Sequence, residues 1–225
     1  MDQAKRQYTL KETQEKMRLK LEVLNSITHG VGIPLGIFFL VVLILSQVQR
    51  QSIPGIVAYA IYGGCFIWLF LCSTVYHAVQ PPKVKAILRI FDHTAIYLFI
   101  AGSFTPAIFF LTQGLPRILF MTLIWTIALA GTLFKIITYK NYDKWIRVTV
   151  FLYIAMGWLG LLFLKPIIQY GLWKFFFFIA FGGILYTVGT YFYRKTDWTW
   201  HHVVWHIFVL AAAVTQFFGF YLYLS

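Results

Sequence analysis

Residues 29–46 read HGVGIPLGIFFLVVLILS, an apolar run without any Lys, Arg, Asp or Glu. At about 1.5 Å per residue, a helix of this length nearly crosses the hydrocarbon core of a bilayer, which is about 30 Å thick. Six more apolar runs follow, at 55–77, 94–111, 117–138, 146–164, 173–192 and 203–224. The sequence therefore predicts an all-α integral membrane protein, with a seven-transmembrane-helix domain at 21–225 after a polar segment at 1–20.

The composition excludes an ordinary water-soluble domain. Of the 225 residues, 60% are hydrophobic and only 12% are charged, which is too much apolar surface for one aqueous core. The formal net charge of +12 does not indicate nucleic acid, because the basic residues fall in short segments between apolar runs. We therefore expect a multi-pass protein of the cell membrane, with membrane lipids and no nucleic acid as partners.

The distribution of Lys and Arg predicts the orientation, because cationic loops stay on the cytoplasmic side. Fifteen of these residues fall on the side of the N-terminus and four on the other. The fifteen are Lys5, Arg6, Lys11, Lys16, Arg18, Lys20, Lys83, Lys85, Arg89, Lys135, Lys140, Lys144, Arg147, Arg194 and Lys195. The segment 1–20 should thus be cytoplasmic and the C-terminus outside.

Ionisable residues gather at the predicted inner ends of four spans. All six histidines lie there, together with two carboxylates: His29, His77, His93, His201, His202, His206, Glu22 and Asp92. Ionisable groups near lipid are costly and usually face a bundle interior or a watery cavity. One shared polar site is therefore expected at this side of the membrane.

Three of the histidines have the spacing of a metal site. His202 and His206 are four residues apart, on one face of a helix, and Ser73 and His77 repeat that spacing on another span. A His pair at this spacing is weak evidence alone, because interfacial pairs are common. With His77 as a third imidazole at the same depth, however, the set is typical of catalytic zinc, with one position left for water.

Asp92 returns to that depth after the Pro81-Pro82 turn, and it could bind the metal water or act as general base. The alternative is an interfacial carboxylate paired with Arg89 or Lys85. Two further residues of the region, His93 and His201, are expected outside the site, the latter as a headgroup contact.

Glu22, Asn25 and His29 share one face of the first helix, since Glu22 and His29 are seven residues apart. They could contact the metal ligands and hold them in position. They could equally form a structural polar seam, and the sequence does not choose between these readings.

Four ordered motifs resemble those of the hemolysin III family, the bacterial branch of the progestin and adipoQ receptors. They are Glu22 through Gly30, Ser73 through His77, Phe91 through Pro106, and His202 through His206. The resemblance implies a seven-helix fold in a bacterial membrane, zinc bound by His77, His202 and His206, and a water or substrate held by Asp92 and Ser73. Ser103 stands where Thr is expected.

Several functions are compatible with this resemblance. The receptor relatives and the similar alkaline ceramidases are linked to amide hydrolysis of ceramide. We expect a zinc-dependent role in membrane lipid or energy homeostasis, as an intramembrane hydrolase of a lipid amide or ester. A cytolytic protein or a non-catalytic lipid-sensing receptor is the alternative. Transport would require helices broken near the midplane, for which Gly63-Gly64 and Gly182-Gly183 are candidates, although close helix packing explains such glycines more simply.

Overall fold

The structure is a computed structural model that describes residues 3–225, apart from the side chains of residues 4, 142 and 143. Nine α-helices and two short 3-10 helices form the described chain. In order they are α1 (Gln3–Gly30), α2 (Gly32–Gln49), α3 (Ile53–Ala78), α4 (Pro82–Leu111), α5 (Gly114–Thr138), η1 (Tyr139–Asn141), α6 (Tyr142–Trp158), η2 (Leu159–Phe163), α7 (Leu164–Gln169), α8 (Trp173–Arg194) and α9 (His201–Tyr223).

Seven helical segments are long and apolar enough to cross a membrane, which confirms the predicted fold class. The first combines α1 and α2 over Lys5–Gln49, and the fifth combines α6, η2 and α7 over Lys144–Gln169. The other five segments contain α3, α4, α5, α8 and α9. Six of the predicted apolar runs lie within one segment each, and the seventh, 203–224, extends one residue past its segment. The orientation of the segments across the membrane stays a prediction.

The first segment is longer than the apolar run predicted for it. Helix α1 begins at Gln3, and its described side chains as far as Lys20 are exposed. The polar segment is therefore a helical extension of the first span. Between α1 and α2, Val31 keeps helical dihedral angles, but Pro34 has no N–H to donate to the carbonyl of Gly30. This local break separates the polar face of α1 from the apolar α2.

The helices follow one another around a ring, and α9 closes it. Helix α3 packs against α1, α2 and α4, helix α4 packs against α5, and α8 packs along α9. Helix α9 then contacts α1 and α2. The N-terminal end of α9 is thereby brought against α1 and the C-terminal end of α3, although more than 100 residues separate α3 from α9 in the chain.

Close helix contacts explain two of the glycines that were candidates for breaks. A Cβ at Gly63 would lie 2.6 Å from a side-chain carbon of Leu40, and a Cβ at Gly182 would lie 3.0 Å from Cγ of Gln216. Both glycines lie within uninterrupted helices, α3 and α8. Their small size therefore permits close approach of neighbouring helices, and the helix breaks expected of a transporter do not occur at these two positions.

Candidate metal centre and its apolar cavity

Three imidazoles meet where the C-terminal end of α3 and the N-terminal end of α9 converge. His77 lies in the last turn of α3, and His202 and His206 lie in the first two turns of α9. One ring nitrogen from each lies within 4.8 Å of those of the other two. The predicted ligands are therefore close enough together to hold one metal ion.

The separation of two of these nitrogens suits tetrahedral coordination. Nε2 of His77 lies 3.3 Å from Nε2 of His202. A tetrahedral ion bound by imidazoles at about 2.0–2.1 Å places two ligand nitrogens about 3.3–3.4 Å apart. The spacing between these rings thus already matches the edge of a zinc tetrahedron.

Glu22 contacts Nδ1 of His77, the ring nitrogen that does not face His202. Its Oε2 atom lies 2.7 Å from Nδ1 of His77 and 3.0 Å from Nζ of Lys85. Because a carboxylate only accepts, the ring proton of His77 belongs on Nδ1, and Nε2 keeps a lone pair for a metal. Lys85 also donates to the carbonyls of Tyr76 and Val79, which ties this ion pair to the C-terminal end of α3.

The backbone of α1 orients His206 in a similar way. Nδ1 of His206 lies 3.1 Å from the carbonyl oxygen of Asn25 and 3.2 Å from Oγ1 of Thr28. Donation to the carbonyl places the proton on Nδ1 and leaves Nε2 of His206 free to coordinate. Asn25 therefore acts through its main chain, and its own side-chain oxygen is buried without a hydrogen-bond partner in the described part of the chain.

His29 contacts the triad through its ring face. Its imidazole stacks on that of His206, with centroids 3.6 Å apart, and meets Phe70 edge-on. Neither ring nitrogen of His29 has a hydrogen-bond partner among the described residues. The three candidate supporting residues on α1 thus differ: Glu22 bonds a candidate ligand with its side chain, Asn25 with its backbone, and His29 packs on one.

Asp92 and Ser73 lie beside the triad, on the wall of one cavity. The Asp92 side chain is 14% exposed, and one of its oxygens lies 3.5 Å from Nδ1 of His93. Of the two cations considered as alternative partners for Asp92, Lys85 is engaged by Glu22 instead. Asp92 therefore shares the lining of one cavity with two of the candidate ligands, His202 and His206.

His93 and His201 lie outside the triad, as expected, but neither is simply interfacial. His93 is buried, its Nδ1 lies 2.8 Å from the carbonyl of Arg89, and its own carbonyl accepts from Tyr153. Nδ1 of His201 lies 3.2 Å from the carbonyl of Tyr193, which joins the end of α8 to the start of α9. Both side chains therefore have structural contacts.

An apolar cavity runs outward from the triad through the bundle. Its polar end is lined by His29, Ser73, Asp92, His202 and His206, and its far end by Leu111, Ile167, Phe175 and Phe220. Asp92 and Leu111 are both on α4, so the lining extends over about 28 Å of helix at 1.5 Å per residue. The cavity volume is about 180 Å³. One leaflet is about half of a 30 Å core, so the cavity is long enough for an acyl chain.

Comparisons with known proteins show the family of this chain. A family profile described as Haemolysin-III related matches residues 17–217. The chain belongs to this family. Among its relatives, Hemolysin-3 homolog of Bacillus subtilis (strain 168) is 38% identical over 200 residues, which is 89% of this chain and 92% of the relative. Hemolysin-3 of Bacillus cereus is 36% identical over 93% of this chain and 94% of the relative.

The similarity of this haemolysin-III-related chain extends to animal proteins. Monocyte to macrophage differentiation factor of Homo sapiens is 29% identical over 171 residues, which is 73% of this chain and 69% of that protein. The bacterial relatives and the seven apolar helices together assign the chain to the cell membrane as a multi-pass protein.

Two features of this haemolysin-III-related site were not predicted from the sequence. The first is the pairing of Lys85 with Glu22, since the sequence offered Asp92 as an equally near carboxylate. The second is the cavity, which is formed by apolar residues that look like ordinary lipid-facing positions. Charge sidedness placed Lys85 on the inner side, but no sequence signal distinguished cavity-lining from lipid-facing residues.

Proposed function

We propose that this chain is a zinc-binding membrane protein that hydrolyses an acyl amide or ester bond of a membrane lipid and so acts in lipid homeostasis. One observation carries the proposal: three imidazoles with converging ring nitrogens lie at the polar end of a long apolar cavity, next to a carboxylate. This arrangement suits a substrate with an acyl chain in the cavity and a polar bond at the metal.

The donor set supports zinc in particular. Three neutral imidazoles with one open position are typical of catalytic zinc, and Glu22 and the Asn25 carbonyl fix the tautomers that such coordination needs. When bound, zinc would supply a Lewis acid that activates water near neutral pH. His77, His202 and His206 would hold it.

The other polar groups at this end of the cavity have roles that follow from their position. Asp92 would accept the proton of the attacking water and return it to the leaving group. The buried hydroxyl of Ser73, which lies on the cavity wall with Asp92, would donate to the substrate carbonyl. The apolar wall would hold the acyl chain and keep bulk water away from the reacting bond.

A lipid sensor without turnover is the second candidate, because the same cavity could retain a lipid or fatty acid as a ligand. The printed names of the bacterial relatives suggest haemolysis. The apolar wall of the cavity argues against a water-filled pore through a single copy of the chain, because most of its polar lining lies at one end.

Fatty acid release by three purified proteins tests the proposal: wild type, Asp92→Asn, and the double variant His202→Ala with His206→Ala. Each is incubated with ceramides, other acyl amides and phospholipids, and both the fatty acid and the zinc content are measured. Asp92→Asn should keep its zinc and lose about 10² to 10⁴ in rate, the usual effect of a lost general base. The double variant should lose both.

Two other outcomes would reject the proposal. Zinc binding without release from any lipid by wild type would reject the hydrolase and favour the sensor. Equal release by all three proteins would reject the assignment of the reaction to this site and indicate a contaminating lipase.

A further inference from the structure

A second, more polar pocket lies at the same end of the bundle as the triad. It is lined by Arg18, Leu21, Glu22 and Asn25 of α1, by Thr199 just before α9, and by His201, His202 and Val203 at the start of α9. His202 also lines the apolar cavity, so its side chain borders both spaces. The pocket is thus directly adjacent to the candidate metal centre.

Burial of the three imidazoles is uneven, and the pocket is on the less buried side. His77 is 4% exposed and His206 is 1% exposed, whereas His202 is half-buried. Two pocket residues contact the Nδ1 atoms of the two buried ligands. Glu22 lies 2.7 Å from Nδ1 of His77, and the Asn25 carbonyl lies 3.1 Å from Nδ1 of His206. Polar groups therefore continue from the surface to all three candidate ligands.

A divalent cation has no comparable route through the apolar cavity. Much of that lining consists of Phe, Ile and Leu side chains, and moving an ion away from water into such surroundings costs several kcal/mol or more. In the polar pocket, by contrast, carboxylate, amide and hydroxyl oxygens can replace part of the hydration shell.

We propose that this polar pocket is the port through which the metal ion exchanges with the inner aqueous phase, with His202 as the first ligand met on entry and the last one lost on exit. The proposal rests on the metal assignment of the proposed function, but it requires no turnover. It assigns metal and lipid to opposite sides of the site: the ion passes along Glu22 and His202, and the acyl chain lies in the apolar cavity.

Reversible blocking of the pocket tests this route. Thr199 is exposed at the pocket rim, so Thr199→Cys can be modified with a charged methanethiosulfonate reagent, which does not cross membranes. Asp197→Cys is the matched control, because Asp197 is exposed in the same connection but does not line the pocket. The native thiols Cys65 and Cys72 lie within the membrane span α3, away from such a reagent.

The measurement is the rate at which EDTA removes zinc from the full-length protein in detergent. Modified Thr199→Cys should release zinc at least about tenfold more slowly, because exit would then require local unfolding, and a thiol reductant should restore the rate. Cationic and anionic reagents should act alike if they act by obstruction. Modified Asp197→Cys should match wild type.

Two results would overturn the port. Equal release rates before and after modification of Thr199→Cys, in a protein that holds zinc, would reject the port and leave the proposed function intact. A wild-type protein that takes up no zinc would reject both.

Discussion

Replacing Glu22 with Gln would test how the polar face of α1 supports the metal centre. Gln keeps the size of the side chain and can still accept a hydrogen bond from Nδ1 of His77, but it removes the negative charge at the 2.7 Å contact. It also leaves Lys85 without the carboxylate that now lies 3.0 Å from its Nζ atom. Both changes disfavour a cation on the other side of the His77 ring.

The magnitude follows from the kind of bond that is lost. Hydrogen bonds to a charged group contribute about 1.5–3 kcal/mol and neutral ones about 1 kcal/mol, so the change should cost about 0.5–2 kcal/mol of zinc binding. That corresponds to a dissociation constant about two- to thirtyfold larger. The range overlaps the usual effect, about 10- to 100-fold, of changing a residue that orients a metal-binding histidine.

Competition with a chromophoric chelator at fixed pH would measure the dissociation constant. The matched control is Glu12→Gln, which removes an exposed carboxylate 2.7 Å from Lys16 on the same helix and should leave zinc binding unchanged. If Glu22→Gln bound zinc as tightly as wild type, the contact between Glu22 and His77 would not support the metal, and the reasoning would be refuted.

Three further predictions concern packing, the cavity and topology. Gly63→Ala should destabilise the protein by about 1–3 kcal/mol, because the new Cβ would lie 2.6 Å from a side-chain carbon of Leu40. The control Gly64→Ala has open space around its new Cβ and should be tolerated. Equal thermal unfolding of the two variants in detergent would contradict the packing argument. Gly183→Leu adds bulk to the cavity wall and should lower fatty acid release while zinc content stays normal, so unchanged release would place the acyl chain elsewhere. Alkaline phosphatase fused after Ser225 should be active, since the excess of basic residues predicts an external C-terminus, and an inactive fusion beside an active cytoplasmic reporter would invert the orientation.

The sequence predicted the fold class because a membrane span has a local signature. Length and hydropathy alone define each of the seven segments, and no long-range contact is needed to recognise them. The extent of the first helix was not predicted, because the polar residues 3–20 have no apolar periodicity, and the structure shows that they continue the helix of the first span.

The three histidines of the cluster could be predicted from the sequence, but their geometry could not. His202 and His206 are linked by helical spacing, and His77 joined them only through its depth in the membrane. Closure of the ring by α9 brings His77 to 3.3 Å from His202, and this depends on packing between distant helices. The partner of Glu22 and the existence of the cavity depend on the same packing, so periodicity and charge could not specify them.

The zinc content of purified protein tests the central claim most directly. Wild type should hold about one zinc per chain, and His202→Ala with His206→Ala, which removes two of the three nitrogens, should hold almost none while the seven helices still insert. The matched control is His201→Ala, which removes the neighbouring imidazole that bonds the Tyr193 carbonyl and should keep the metal. Undiminished zinc in a folded double variant would contradict the account.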